Sequence, residues 1–142
     1  MDEKKPIEFS LTKISTEQFA LFEEAFDDKK VIDILTSIRF RADFENKIIS
    51  AFTLFQFEQE KATFMVIEVG CHFLIEAASW DRFSDSTHKL KVDKGLLTHL
   101  AFLTVGTTRG VLHAKTEGLK FNEFYLPTIN ISSMINEDLF FD

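Results

Sequence analysis

The chain has 142 residues, of which 45% are apolar and 27% charged, enough for one domain with a core and too few for a multidomain enzyme. Its 16 Lys and Arg against 23 Asp and Glu leave a net charge of −7 without any basic block, which argues against a binder of nucleic-acid backbones. The lone Cys71 permits no internal disulfide, the opening Met1-Asp2-Glu3-Lys4-Lys5-Pro6 has no secretory apolar stretch, and no apolar run nears the roughly 20 residues of a membrane span. The expected setting is therefore the cytoplasm, with residues 1–142 forming one domain.

In chain order, Ile7 to Ile14 alternates over its first five residues and predicts a half-buried strand. Between Ser15 and Phe26 the spacing of Phe19, Phe22 and Phe26 suits a helix, although a continued strand is the alternative. The cleanest alternation follows: Ile32, Ile34, Ile38, Phe40, Ala42 and Phe44 share one parity, and Asp33, Ser37, Arg39, Arg41, Asp43 and Glu45 the other. This is a long strand with one wet face. Polar turns at Glu45-Asn46-Lys47 and Glu58-Gln59-Glu60-Lys61 separate it from two further strands, Ile48 to Glu58 and Ala62 to Ile75, in hairpin order. Glu76 to Lys91 reads as a loop around Trp80 and Phe83.

Asp93 is placed to cap a helix whose apolar stripe is Leu96, Leu97, Leu100 and Leu103, and Gly118 to stop it. Within it Gly106, Gly110 and Ala114 recur every four residues, leaving one face almost without bulk. That face admits either a second helix or the protein's own sheet. Pro127 forbids a helix across the connector that follows, so Asn130 or Ser132 starts only a short final turn. The fold class expected is α+β: a four-stranded antiparallel sheet followed by a long broken helix packed on one face.

Signals of catalysis are absent. The four His residues are scattered, and Cys71 and His72 point to opposite faces of a strand, so no metal site is expected. There is no Gly-x-Ser-x-Gly elbow; Ser84-Asp85-Ser86-Thr87-His88 reads as a polar loop, and Gly106 to Gly110 lacks the Lys-Ser/Thr ending of a phosphate loop. The unusual count is 17 Phe against one Tyr and one Trp. Phe has no polar handle, so this excess belongs in a core, under another subunit, or against an apolar partner.

The order of elements, together with several short motifs, resembles the SecB-type preprotein chaperones. The motifs are Glu68-Val69 with Phe73-Leu74-Ile75 in the last strand, Arg109 and Glu117-Gly118 in and after the helix, and Phe121 with Leu126-Pro127-Thr128-Ile129-Asn130-Ile131 beyond it. The likeness runs from about Ile7 to Ile135. Three features depart from the family pattern: Phe19 to Phe26 replaces a Pro-rich connector, Thr107 and Thr108 stand for Pro and Tyr, and the second full helix and acidic tail are mostly missing.

The resemblance implies a homotetrameric, cofactor-free and ATP-independent holdase for unfolded or nascent polypeptides in protein export. Its peptide-binding residues would be Trp80, Phe83, Phe121, Phe124, Tyr125, Leu126 and Ile129, each with a core role as the alternative. Gly106, Gly110 and Ala114 would line the interface between subunits. The family implies the SecA motor as a further partner, reached through an acidic sheet surface, whereas the wet face here is mixed. Dedicated toxin–antitoxin chaperones of the same type are the alternative client class. A rival outside the family is a carrier or enzyme whose sheet and helix enclose an apolar pocket, with His72 or Glu68 as acid or base. A structural subunit of a larger complex would also explain the Phe content.

Overall fold

The computed structural model describes residues 6–84, 89–123, 126 and 129–142. The architecture is α+β. Strands β1 (Phe9–Leu21), β2 (Asp33–Asp43), β3 (Ile48–Gln59) and β4 (Ala62–Ile75) form one antiparallel sheet in the order β1-β4-β3-β2. Helix α2 (Lys94–Lys115) packs across β3 and β4 on one face. It runs unbroken, and the chain leaves it only at Thr116, ahead of Gly118 in a left-handed conformation at φ +83° and a 3-10 turn at Lys120–Glu123. Among the described residues no helix is long and apolar enough to cross a membrane.

Period two decides which side chains meet α2. Ile49, Ala51, Thr53, Phe55 and Phe57 of β3 lie opposite Phe73, Cys71, Val69, Ile67 and Met65 of β4, and all ten are buried. Ile34, Ile38, Phe40 and Ala42 of β2 extend this face, and Leu97, Leu100, Ala101, Val105 and Leu112 of α2 close it. One polar contact registers helix on sheet. The Thr108 hydroxyl donates to the Thr104 carbonyl at 2.7 Å, so it accepts from the Thr53 hydroxyl at 2.5 Å. Both groups are buried and both are satisfied.

One open alternative is settled, and three differences from the sequence reading have physical reasons. β1 continues to Leu21, the strand continuation left open beyond Ile14, because register shifts after Leu11 and Thr16 return Phe19 and Leu21 to the core face opposite Ile67 and Met65. The following Phe22 begins a 3-10 turn, Glu23–Ala25, so no α-helix forms there. The expected loop after β4 contains helix α1 (Ala77–Phe83), which buries Ser79, Trp80 and Phe83 and is too short to show a helical period. Finally, β5 (Leu90–Val92) pairs with β6 (Leu139–Phe141), and Asp138 accepts from the Lys94 backbone N–H and meets the Lys91 ammonium, tying the C-terminal segment to the start of α2. Asp93 caps α2 through the Leu96 N–H at 2.9 Å, and Asn130 precedes the last short helix, α3 (Ile131–Met134).

Candidate binding surfaces

The far face of α2 is open. Leu97, Ala101, Thr104 and Thr108 turn towards the sheet, which leaves Gly106, Gly110 and Ala114 exposed on the opposite side. A Cβ built on either glycine meets no atom within 4 Å. The small-residue stripe therefore does not serve the protein's own sheet. Phe102 and Leu103 border it, 65% and 38% exposed. This face joins the glycines and Ala114 to the apolar Phe102 and Leu103 and also carries the exposed His99 and His113, so it offers another surface both a close backbone approach and apolar contact.

The residues expected to bind peptide lie elsewhere. Trp80, Phe83, Phe121 and Leu126 are buried in the core of the single chain, the alternative role named for each of them. Phe121 meets Phe26 edge-on at 5.2 Å and Phe64 at a tilt at 6.1 Å, while Trp80 meets Phe44 edge-on at 5.8 Å. Ile129 is half-buried against the same core. Phe124 and Tyr125 lie outside the described residues, as do residues 85–88 with His88.

Exposed apolar surface gathers at the sheet's edges instead. Along β2, whose outer edge is unpaired among the described residues, a groove of ≈ 500 Å³ is lined by Ile38 and Phe40 on one side and by Met134, Ile135 and Leu139 on the other. At the opposite edge, β1 pairs only with β4, and Leu11 and Ile14 are 46% and 50% exposed. An unpaired strand edge presents a row of backbone N–H and C=O groups to any extended chain.

The sheet face turned away from α2 carries a polar cluster that local sequence reasoning did not assemble. Gly70 is its centre: a Cβ there would stand 2.6 Å from the Phe52 ring and 2.9 Å from Ser15 Oγ, so only glycine leaves room. The Phe52 ring is fully buried on this otherwise open face because Arg39 and Arg41 cover it, their guanidinium carbons 4.0 and 5.2 Å from its centroid. Arg39 also pairs with Glu68 at 3.3 Å, and Gln18 donates to the other oxygen of that carboxylate. His72 sits between two hydroxyls, Ser50 Oγ at 2.7 Å from Nδ1 and Ser15 Oγ at 2.8 Å from Nε2. Burial, and then the Lys13 ammonium, hold its pKa below the usual histidine range; Glu17 pulls the other way and Arg41 adds to the lowering.

His72 and Glu68 thus stand on the open sheet face, not in the sheet–helix layer where an enclosed pocket would need them. Among the described residues no three His, Cys, Asp or Glu side chains come together as a metal site.

No family model and no curated protein matches the chain. Among solved structures it is similar to the crystal structure of a protein of unknown function from Streptococcus agalactiae, at 12% identity and a TM-score of 0.38, over 87% of this chain and 98% of that one.

Proposed function

We propose that this chain is a SecB-like, ATP-independent holdase that works in the cytoplasm as a homotetramer and binds unfolded polypeptides without turnover. The observation that carries the proposal is the far face of α2, where Gly106, Gly110 and Ala114 lie open beyond the exposed Phe102 and Leu103. Such a face costs free energy in water and gains it when a second copy covers it, at about 25 cal/mol per Å² of apolar area.

Client chains are assigned to the groove beside β2 instead of the buried Trp80, Phe83 and Phe121. Hydrogen bonds to the free β2 edge are indifferent to client sequence, and Ile38, Phe40 and Met134 supply apolar contact to alternate client side chains. The export partner of the family is reached through an acidic sheet surface, whereas this sheet carries Lys13, Arg39 and Arg41 on its open face. That observation favours the dedicated, toxin–antitoxin type of SecB-like chaperone over delivery to the SecA motor.

The test is light scattering after size exclusion, followed by suppression of aggregation of an unrelated unfolded protein without nucleotide. A particle of about four times 16.4 kDa that keeps the unfolded chain soluble is the expected result. A monomer without effect on aggregation overturns the proposal. Binding of purified SecA to the assembled particle would reverse the preference between the two client classes.

A further inference from the structure

On the open face of the sheet, register shifts notwithstanding, one residue from each strand falls in a single row. Lys13 of β1 is opposite His72 of β4, His72 is opposite Ser50 of β3, and Ser50 is opposite Arg41 of β2. All four line one surface groove of ≈ 680 Å³. Two cations therefore stand at the ends of the row and hydrogen-bonding groups at its middle.

Arg41 lies over the Phe52 ring at 5.2 Å, and neither end group of the row has its charge matched by an ion pair among the described residues. Asp43 lines the same groove, yet Asn46 occupies both its oxygens, the backbone N–H at 3.1 Å and the side-chain amide at 2.9 Å. Glu68, another acid on this face, is engaged by Arg39 and Gln18. Lys13 and Arg41 both act against the charged form of the partly buried His72 imidazole, and Glu17 of β1 offsets them only in part.

We infer that the row Lys13–His72–Ser50–Arg41 is a binding site for a small oxyanion, a carboxylate or phosphate group. Lys13 supplies a point charge and Arg41 a planar fork of donors suited to two oxygens at once. Ser50 supplies a hydroxyl whose direction His72 controls. A neutral imidazole has one N–H, so it donates to one of its two serines and accepts a hydrogen bond from the other's hydroxyl. An imidazolium donates to both, and each serine proton is then free to turn outward. An anion in the groove favours that protonated form, because its charge offsets Lys13 and Arg41. Binding is consequently coupled to uptake of one proton at His72 and tightens as pH falls. The groups facing His72 in this linkage are Lys13 and Glu17 from β1, Arg41 from β2 and the uncharged Ser50 from β3.

The inference stands apart from the chaperone reading and is tested without it. The His72 ring resonance is followed from pH 5 to 8 at constant ionic strength in chloride, inorganic phosphate and citrate. The expected result is a saturable shift with phosphate, citrate or both, with the His72 pKa raised relative to chloride. Response to phosphate alone assigns a phosphorylated ligand and response to citrate alone a carboxylate. Arg41→Gln and Lys13→Gln should each weaken binding by on the order of tenfold, the amide spectrum showing the fold intact. A His72 titration indistinguishable in the three salts, or a shift that survives both substitutions unchanged, overturns the assignment.

Discussion

A methyl group added at Gly70 has nowhere to go. The nearest atoms, Phe52 Cε1 at 2.6 Å and Cδ1 at 2.7 Å, belong to a ring pressed from above by Arg39 and Arg41 and edge-on by His72 at 5.6 Å. Ser15 Oγ, at 2.9 Å, is itself fixed to His72. Gly70→Ala should therefore cost about 1–3 kcal/mol, the range for overpacking a filled site, read as a lower urea midpoint at unchanged slope. It should also disturb the His72 ring signal, since Ser15 must move. The contrast within the chain is Gly106 and Gly110, where the same methyl meets open space. Composition alone makes these glycines equivalent; only the register of β4 against β1 and β3 separates them.

At the level of elements, much of the fold is legible because its signals are local. The alternation from Asp33 to Asp43 and the polar turns bounding β3 and β4 place three strands almost to the residue, and Asp93 marks the start of α2 through its own hydrogen bond. What escapes is non-local or too short. The two bulges hide the second half of β1, since each shifts parity by one residue and breaks the alternation that reveals a strand. Helix α1, with 7 residues, and strand β6, with 3, are too short for a period to repeat often enough to stand out. The β3–β4 turn shows how tertiary pairing overrides local preference: Glu60 and Lys61 both take positive φ, 50° and 69°, in a two-residue hairpin whose geometry asks for Asn-Gly. Holding an ordinary residue left-handed costs about 1–2 kcal/mol, so Lys61→Gly should stabilise the protein by about 1 kcal/mol in urea unfolding, after the added entropy of the unfolded glycine is discounted.

For the molecule as a whole, what separates a finished monomer from a subunit is which apolar side chains stay uncovered. Among the described residues Leu11, Ile14, Phe102 and Leu103 are exposed. Candidate-site residues are legible only in part, because which side chains are covered is decided by neighbours distant in sequence. The Gly106, Gly110, Ala114 stripe can be read from spacing, but which way it faces depends on Thr104 and Thr108 burying against the sheet. Trp80, Phe83 and Phe121 are apolar enough for either role, and the neighbours that claim them, Phe44, Phe26 and Phe64, are distant in sequence. If α2 is the assembly face and the β2 groove holds clients, the two functions separate by mutation. Phe102→Asp and Gly106→Leu alter exposed positions, so each should leave the circular dichroism of the chain intact while lowering the particle mass seen in light scattering. Gly106→Ala sharpens the point, because a monomer gains about 0.5–1 kcal/mol from removing a helical glycine, whereas a close helix–helix contact loses stability from the same methyl. Met134→Glu, at an exposed rim of the groove, should keep the assembled mass and weaken aggregation suppression severalfold. Loss of assembly in Met134→Glu, or full holdase activity in it, would move the client site away from β2 and leave the edge of β1, with Leu11 and Ile14, as the surface to map next.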